Sequence, residues 1–72
     1  MHYFKTVPSV KPSRLFRVDS TGTIQHLTAF SMWYNVLYPK MFNHFKANGL
    51  LVQIEEYQAA EYVYNHTKYL RD

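Results

Sequence analysis

Apolar residues along this chain switch between a period of two and a period near 3.6, the rhythms of half-buried strands and amphipathic helices. Arg14 to Leu27 has the shorter rhythm and reads as a β-hairpin. If the loop is Ser20-Thr21-Gly22, with Gly22 in the left-handed position of a three-residue turn, Val18 falls opposite Ile24 and Phe16 opposite His26. Phe16, Val18 and Ile24 then share one face, while Arg17, Asp19, Thr23 and Gln25 occupy the other. A four-residue loop would mix the faces. Leu50 to Glu56 alternates most cleanly, with Leu50, Val52 and Ile54 on one side and Leu51, Gln53 and Glu55 on the other. His2 to Val7 reads as a further short strand. Pro8 to Ser13, with prolines at 8 and 12, is a turn or extended connector that cannot lie in a central strand. Residues 1–13 are therefore expected to be an extended arm or an edge strand.

The longer rhythm begins after the hairpin. Thr28 suits an N-cap, and Leu27 and Met32 have the spacing of a hydrophobic staple. Phe30, Trp33, Tyr34, Leu37, Met41 and Phe45 fall on one helical face, leaving Met32, Val36 and Phe42 off it. Asn48-Gly49 ends the element, because glycine takes the left-handed C-terminal conformation at little cost, and Lys46 complements the last turn. Pro39 interrupts the pattern. A proline inside a helix removes a hydrogen bond and costs about 3 kcal/mol or more. Because Pro39 points away from the apolar face, one bent helix is expected, with a break and a second helix starting at Pro39 as the alternative. From Tyr57 or Gln58 to Leu70 the helical period returns, and Ala60, Val63, Tyr64, Thr67 and Leu70 form the expected inward stripe. The elements sum to an α+β domain: a small antiparallel or mixed sheet, built from the hairpin and one or two further strands, packed against a long Pro-kinked helix and a C-terminal helix.

Composition narrows what such a domain can be. At 72 residues the chain can build one core, so residues 1–72 are expected to form a single compact domain. It has no cysteine, which removes disulfides, thiolate zinc ligands and thiol catalysis. Packing alone must hold the fold, and the thirteen aromatics (seven Tyr, five Phe, one Trp) are the means. No apolar run approaches the roughly 20 residues of a membrane-spanning helix or the about 7–15 of a signal peptide, so a cytoplasmic protein is expected. The sequon Asn65-His66-Thr67 is then read as chance.

Charge is unevenly spread. Residues 1–46 carry Lys5, Lys11, Arg14, Arg17, Lys40 and Lys46 against Asp19, a net +5. Residues 47–72 carry Glu55, Glu56, Glu61 and Asp72 against Lys68 and Arg71, a net −2. Such a dipolar molecule can orient on a charged partner or on itself. The four histidines, His2, His26, His44 and His66, lie about 18–24 residues apart, without the i, i+3 or i, i+4 spacing that presents two metal ligands from one helix. Glu55 and Glu56 are adjacent on a strand and so diverge, Asp19 suits the hairpin turn, and there is no nucleophile elbow and no phosphate-binding loop. Neither metal, cofactor nor catalytic site is expected, and a chain this short has little volume for both a core and a substrate pocket of about 300 Å³ or more.

Two binding surfaces are legible. Tyr62, His66 and Tyr69 recur at helical spacing on a second face of the terminal helix, and tyrosine is enriched at interface hot spots. The competing reading is that a strand or the Pro8 to Ser13 connector covers that face. Lys5, Lys11, Arg14 and Arg17, interleaved with aromatics, form the alternative: a nucleic-acid surface of phosphate-neutralising cations and base-stacking rings. The leading expectation is a non-catalytic protein-binding module, an adaptor, accessory subunit or inhibitor that docks on a larger protein through its aromatic helix face. A homodimer would use the same surface. Small proteins of this composition are often made by phages and other mobile elements to modulate host machinery.

Overall fold

The elements follow one another as β1 (His2–Thr6), β2 (Leu15–Val18), β3 (Ile24–Leu27), β4 (Trp33–Asn35), α1 (Lys40–Ala47), β5 (Leu51–Ile54) and α2 (Glu56–Arg71). The computed structural model describes residues 1–28 and 32–71, with residues 67–71 described by their backbone alone. Among these residues the five strands form one antiparallel sheet in the order β4-β3-β2-β1-β5. The α+β class expected from the pattern is the one observed.

The hairpin folds in the expected register. Val18 pairs with Ile24 and Phe16 with His26. Gly22 has φ +86°, the left-handed conformation a three-residue loop requires. Asp19 organises this loop: its Oδ1 accepts hydrogen bonds from the Thr21 hydroxyl, the Thr21 N–H and the Thr23 N–H at 2.6, 2.9 and 3.0 Å. An aspartate whose side chain bonds the backbone two residues on is a turn-forming device.

β1 is not an arm or an edge. It lies between β2 and β5, with Phe4 opposite Phe16 on one side and Gln53 on the other. The weak alternation of His2-Tyr3-Phe4-Lys5-Thr6 has a physical reason: both faces of the sheet are covered, so neither needs to be polar. Phe4 faces α1, where its ring meets Phe42 edge-on with centroids 5.7 Å apart. Tyr3 faces the other way and lines a groove under α2 with Ala59 and Val63. The helices thus sit on opposite faces of the sheet, and the interior strand supplies an aromatic to each.

The long helix expected between Thr28 and Asn48 is replaced by two elements. Trp33-Tyr34-Asn35 is an edge strand on β3, with Trp33 opposite Leu27 and Asn35 opposite Gln25. Thr28 closes the β3–β4 connection instead of capping a helix: its N–H donates to the Met32 carbonyl and its Oγ1 accepts from the Met32 N–H. The Leu27–Met32 staple disappears with the helix. Phe30 lies outside the described residues. Aromatic Trp33 and Tyr34 and β-branched Val36 suit a pleated surface, and pairing satisfies the open edge of β3. Only the Pro39 alternative survives in part. Pro39 stands just before α1, its carbonyl accepting the Asn43 N–H at 2.9 Å. Proline costs nothing there because its missing N–H would be unpaired in any case.

The end of α1 matches its sequence signature. Leu50 N–H donates to the Phe45 carbonyl at 2.8 Å and Gly49 N–H to the Lys46 carbonyl at 3.3 Å, with Gly49 at φ +68°. These are the two bonds of a Schellman cap. At the start of α2 the Gln58 side chain reaches back to the Glu55 N–H at 2.9 Å, half of a capping box.

The core is small and aromatic. Phe16 and Phe42 are buried with Leu15, Ala59 and Thr6, and Phe42 meets Phe16 edge-on at 5.4 Å. Such pairs contribute roughly 0.5–1.5 kcal/mol each beyond the area they bury. The inward stripe of α2 is rotated from the expected one. Ala59 is 2% exposed and Tyr62, Val63 and His66 are half-buried, whereas Ala60 is exposed and Tyr64 is 68% exposed. Ala59, whose small side chain permits close approach, packs against the sheet face that carries Tyr3. Thr67 and Leu70 lie among residues whose side chains are not described.

Candidate functional site

The rotation of α2 turns Tyr62 and His66 toward the sheet. Their rings stack with centroids 6.4 Å apart and planes 15° from parallel. Tyr62 Oη is 2.8 Å from Ser13 Oγ, and His66 Nε2 is 3.1 Å from the Thr28 carbonyl oxygen. The Nε2 nitrogen donates this bond, since a carbonyl can only accept. The two rings tie α2 to the connector before β2 and to the turn after β3. The Tyr69 side chain lies outside the described residues.

Exposed apolar side chains collect elsewhere. The bend between β4 and α1 carries Leu37 and Tyr38, 81% and 83% exposed, and Met41 in the first turn of α1 is also exposed. These three lip a groove of about 410 Å³ whose floor is Phe16 and Phe42. Local structure explains the arrangement. Phe42 and Phe45, three residues apart, take the inward face of α1, which places Met41 at its flank. Pro39 prevents the helix from extending back over Leu37 and Tyr38, so the bend holds them beside the sheet and clear of its core.

The walls of this groove are polar on one side. Arg14, half-buried, and His26 line it. The Arg14 backbone is bound to Thr6 in both directions, N–H to Thr6 Oγ1 at 2.9 Å and carbonyl to Thr6 N–H at 3.1 Å. Its guanidinium has no hydrogen-bond or ion-pair partner among the described residues. A second groove on the same face, beyond Phe42, is lined in part by His2, Val18 and Lys46. No aspartate or glutamate lines either groove. A groove under α2 is lined by both Arg17 and Glu56.

The four basic residues of the expected nucleic-acid surface are divided by the sheet. Arg14 belongs to the α1 face. Lys5 and Arg17 project to the α2 face, by the alternation that puts Tyr3 there, and Lys11 is exposed in the connector. Arg17 is further engaged, its guanidinium carbon 4.2 Å from the Trp33 ring centroid and its Nε donating to Gln25 Oε1 at 2.6 Å. The histidines are also dispersed: His2 is 3.0 Å from Gln53 on β5, His44 lies on α1 and His66 on α2. Among the described residues no three His, Asp or Glu side chains gather where they could hold a metal ion.

The helical pattern sets Leu37 and Met41 on the apolar face of one long helix and so hides the groove they border. The available signal was Pro39: taken as a break, it frees the residues before it from the stripe of the helix after it. No helix among the described residues is long and apolar enough to cross a membrane. Comparison of the chain with known protein families, with curated proteins and with solved structures finds no match.

Proposed function

We propose that this chain is a small, non-catalytic protein-binding module that docks on a larger protein through the groove between the β4–α1 bend and the sheet. One observation carries the reading: Leu37 and Tyr38 stand more than four-fifths exposed beside a floor of Phe16 and Phe42. Apolar side chains scattered singly on a surface are ordinary, whereas a contiguous cluster around a concavity is characteristic of binding sites. Holding Leu37 and Tyr38 on a bend fixed by Pro39 limits the entropy lost on association. The docking surface is thereby moved from Tyr62 and His66, whose Oη and Nε2 atoms already have intramolecular partners, to the opposite face of the sheet. Adaptor, accessory subunit and inhibitor are all roles such a module can fill, in a cytoplasmic setting.

The test compares the full chain with a Leu37→Asp, Met41→Asp variant and with Tyr64→Ala, which alters an exposed tyrosine on the other side. Immobilised wild type and Tyr64→Ala should retain the same proteins from a native lysate, and the double variant should lose them, with light scattering run alongside to reveal self-association. Equal retention by all three chains would remove the groove as the docking surface.

A further inference from the structure

We infer that the occupant of this groove is an acidic protein segment that places a large apolar side chain over Phe16 and Phe42 and an Asp or Glu carboxylate on Arg14. The inference rests on the docking reading above and adds the chemistry of the partner. Arg14 is its centre. Arg14 as a residue is half-buried and lines the groove with Phe16, Val36 and Met41, its guanidinium has no partner among the described residues, and its backbone is pinned to Thr6. A carboxylate matches the planar donor fork of arginine with two parallel hydrogen bonds, and the low-dielectric surroundings strengthen that pair relative to water.

The wider field selects the same partner. α1 contains Lys40, His44 and Lys46 and no acidic residue, and neither groove on its face is lined by Asp or Glu. A second copy docked about a two-fold axis on this face would bring together two surfaces that each carry Arg14, Lys40 and Lys46 and whose grooves are lined by no Asp or Glu, which opposes self-association there. An extended nucleic-acid strand is a poorer match for the site. Its bases need a succession of accessible flat rings, and the groove offers one such ring, Tyr38, beside aliphatic Leu37 and Met41 at the lip and two buried phenylalanines at the floor.

The experiment is a selection of displayed random peptides on the immobilised full chain, followed by binding measurements on synthetic versions of the enriched sequences. Enriched peptides should combine a large apolar residue with a nearby Asp or Glu and should weaken as salt is raised. Arg14→Gln should lower their affinity about tenfold or more, and Arg14→Lys, which keeps the charge without the fork, by less. Circular dichroism melts of both variants confirm that the fold is retained; if Arg14→Gln unfolds, Arg14→Lys and the replacement of Asp or Glu by Asn or Gln in the peptide carry the test. Peptides that bind through Leu37 and Met41 but lack acidic residues and ignore Arg14→Gln would overturn this inference and leave the docking groove standing. Selection of no groove-dependent peptide would overturn both. Arg14-dependent binding of labelled oligothymidine, uncompeted by the peptides, would assign the face to nucleic acid and likewise overturn the inference.

Discussion

The guanidinium of Arg17, on β2, reaches across β3 to lie 4.2 Å from the ring centroid of Trp33 on β4. Sheet register makes this reach productive. Arg17, Gln25 and Asn35 stand opposite one another in a row across three strands, and their side chains are linked, Arg17 Nε to Gln25 Oε1 at 2.6 Å and Gln25 Nε2 to Asn35 Oδ1 at 2.8 Å. Trp33 also meets Tyr3 edge-on at 6.4 Å. The three-residue edge strand β4 is thus held by side chains as well as by its ladder.

Arg17→Met tests this clasp. Methionine keeps much of the aliphatic stem but loses the charge and the donors, so the domain should lose about 1 kcal/mol, the sum of a partly exposed cation–π contact and one exchangeable hydrogen bond. Trp33 is the single tryptophan, so its emission reports both the local environment and the urea midpoint. An unshifted midpoint together with unchanged emission would show that the contact contributes nothing to stability.

Phe42 and Leu37 separate core from surface on one stretch of chain. Phe42 is 4% exposed and touches the rings of both Phe4 and Phe16, so Phe42→Ala should cost about 3–5 kcal/mol, a large part of what a domain of this size possesses. Leu37→Ala should change stability by no more than about 0.5 kcal/mol. Thermal melts of the two variants check the contrast, and comparable losses would mean that Leu37 is packed.

Asp19 gives the hairpin a dependence on acid. The hydrogen bond from the Thr21 hydroxyl, then that from the Thr23 N–H, hold its carboxyl below the ordinary value of 3.8. A carboxylate with a depressed folded-state pKa stabilises the fold above its unfolded pKa, and that contribution fades as pH falls through the folded pKa. The loss therefore lies at and below 3.8 and leaves neutral pH untouched. Asp19→Asn should melt lower than wild type near neutrality, with the difference shrinking as pH is lowered through that window. A constant difference across the range would show that the turn does not depend on the charge.

The hairpin and the α1 cap were legible because their determinants are local. Asp19 and Gly22 define the loop, its length sets the register of Phe16 against His26, and Asn48-Gly49 sets the C-terminal bonds of α1. β4 was not legible, because Trp33 and Tyr34 fit a helical stripe as well as a strand, and the segment between Leu27 and Trp33 has no Asp and Gly turn signature like that of Asp19 and Gly22, so the choice was made by the unpaired edge of β3. The face of α2 escaped for a related reason. Ala59 and Ala60 are indistinguishable in a hydrophobic pattern, and only contact with the sheet decides which of them is buried.

The candidate site follows the same division. Sequence alone determined that the chain is short, lacks cysteine, concentrates cations before residue 47 and is rich in aromatics, with thirteen in 72 residues. It also determined that Pro39 would interrupt any helix through that point. Only the tertiary structure decided which aromatics are spare and which cations share a surface. Placing one helix on each face of the sheet puts Arg14 with Leu37, Tyr38 and Met41 while sending Lys5 and Arg17 to the far side. Alternation along a strand separates neighbours in sequence, and antiparallel pairing joins residues remote in it. The surface that could recognise a partner is therefore a product of register, to which composition contributes only the parts.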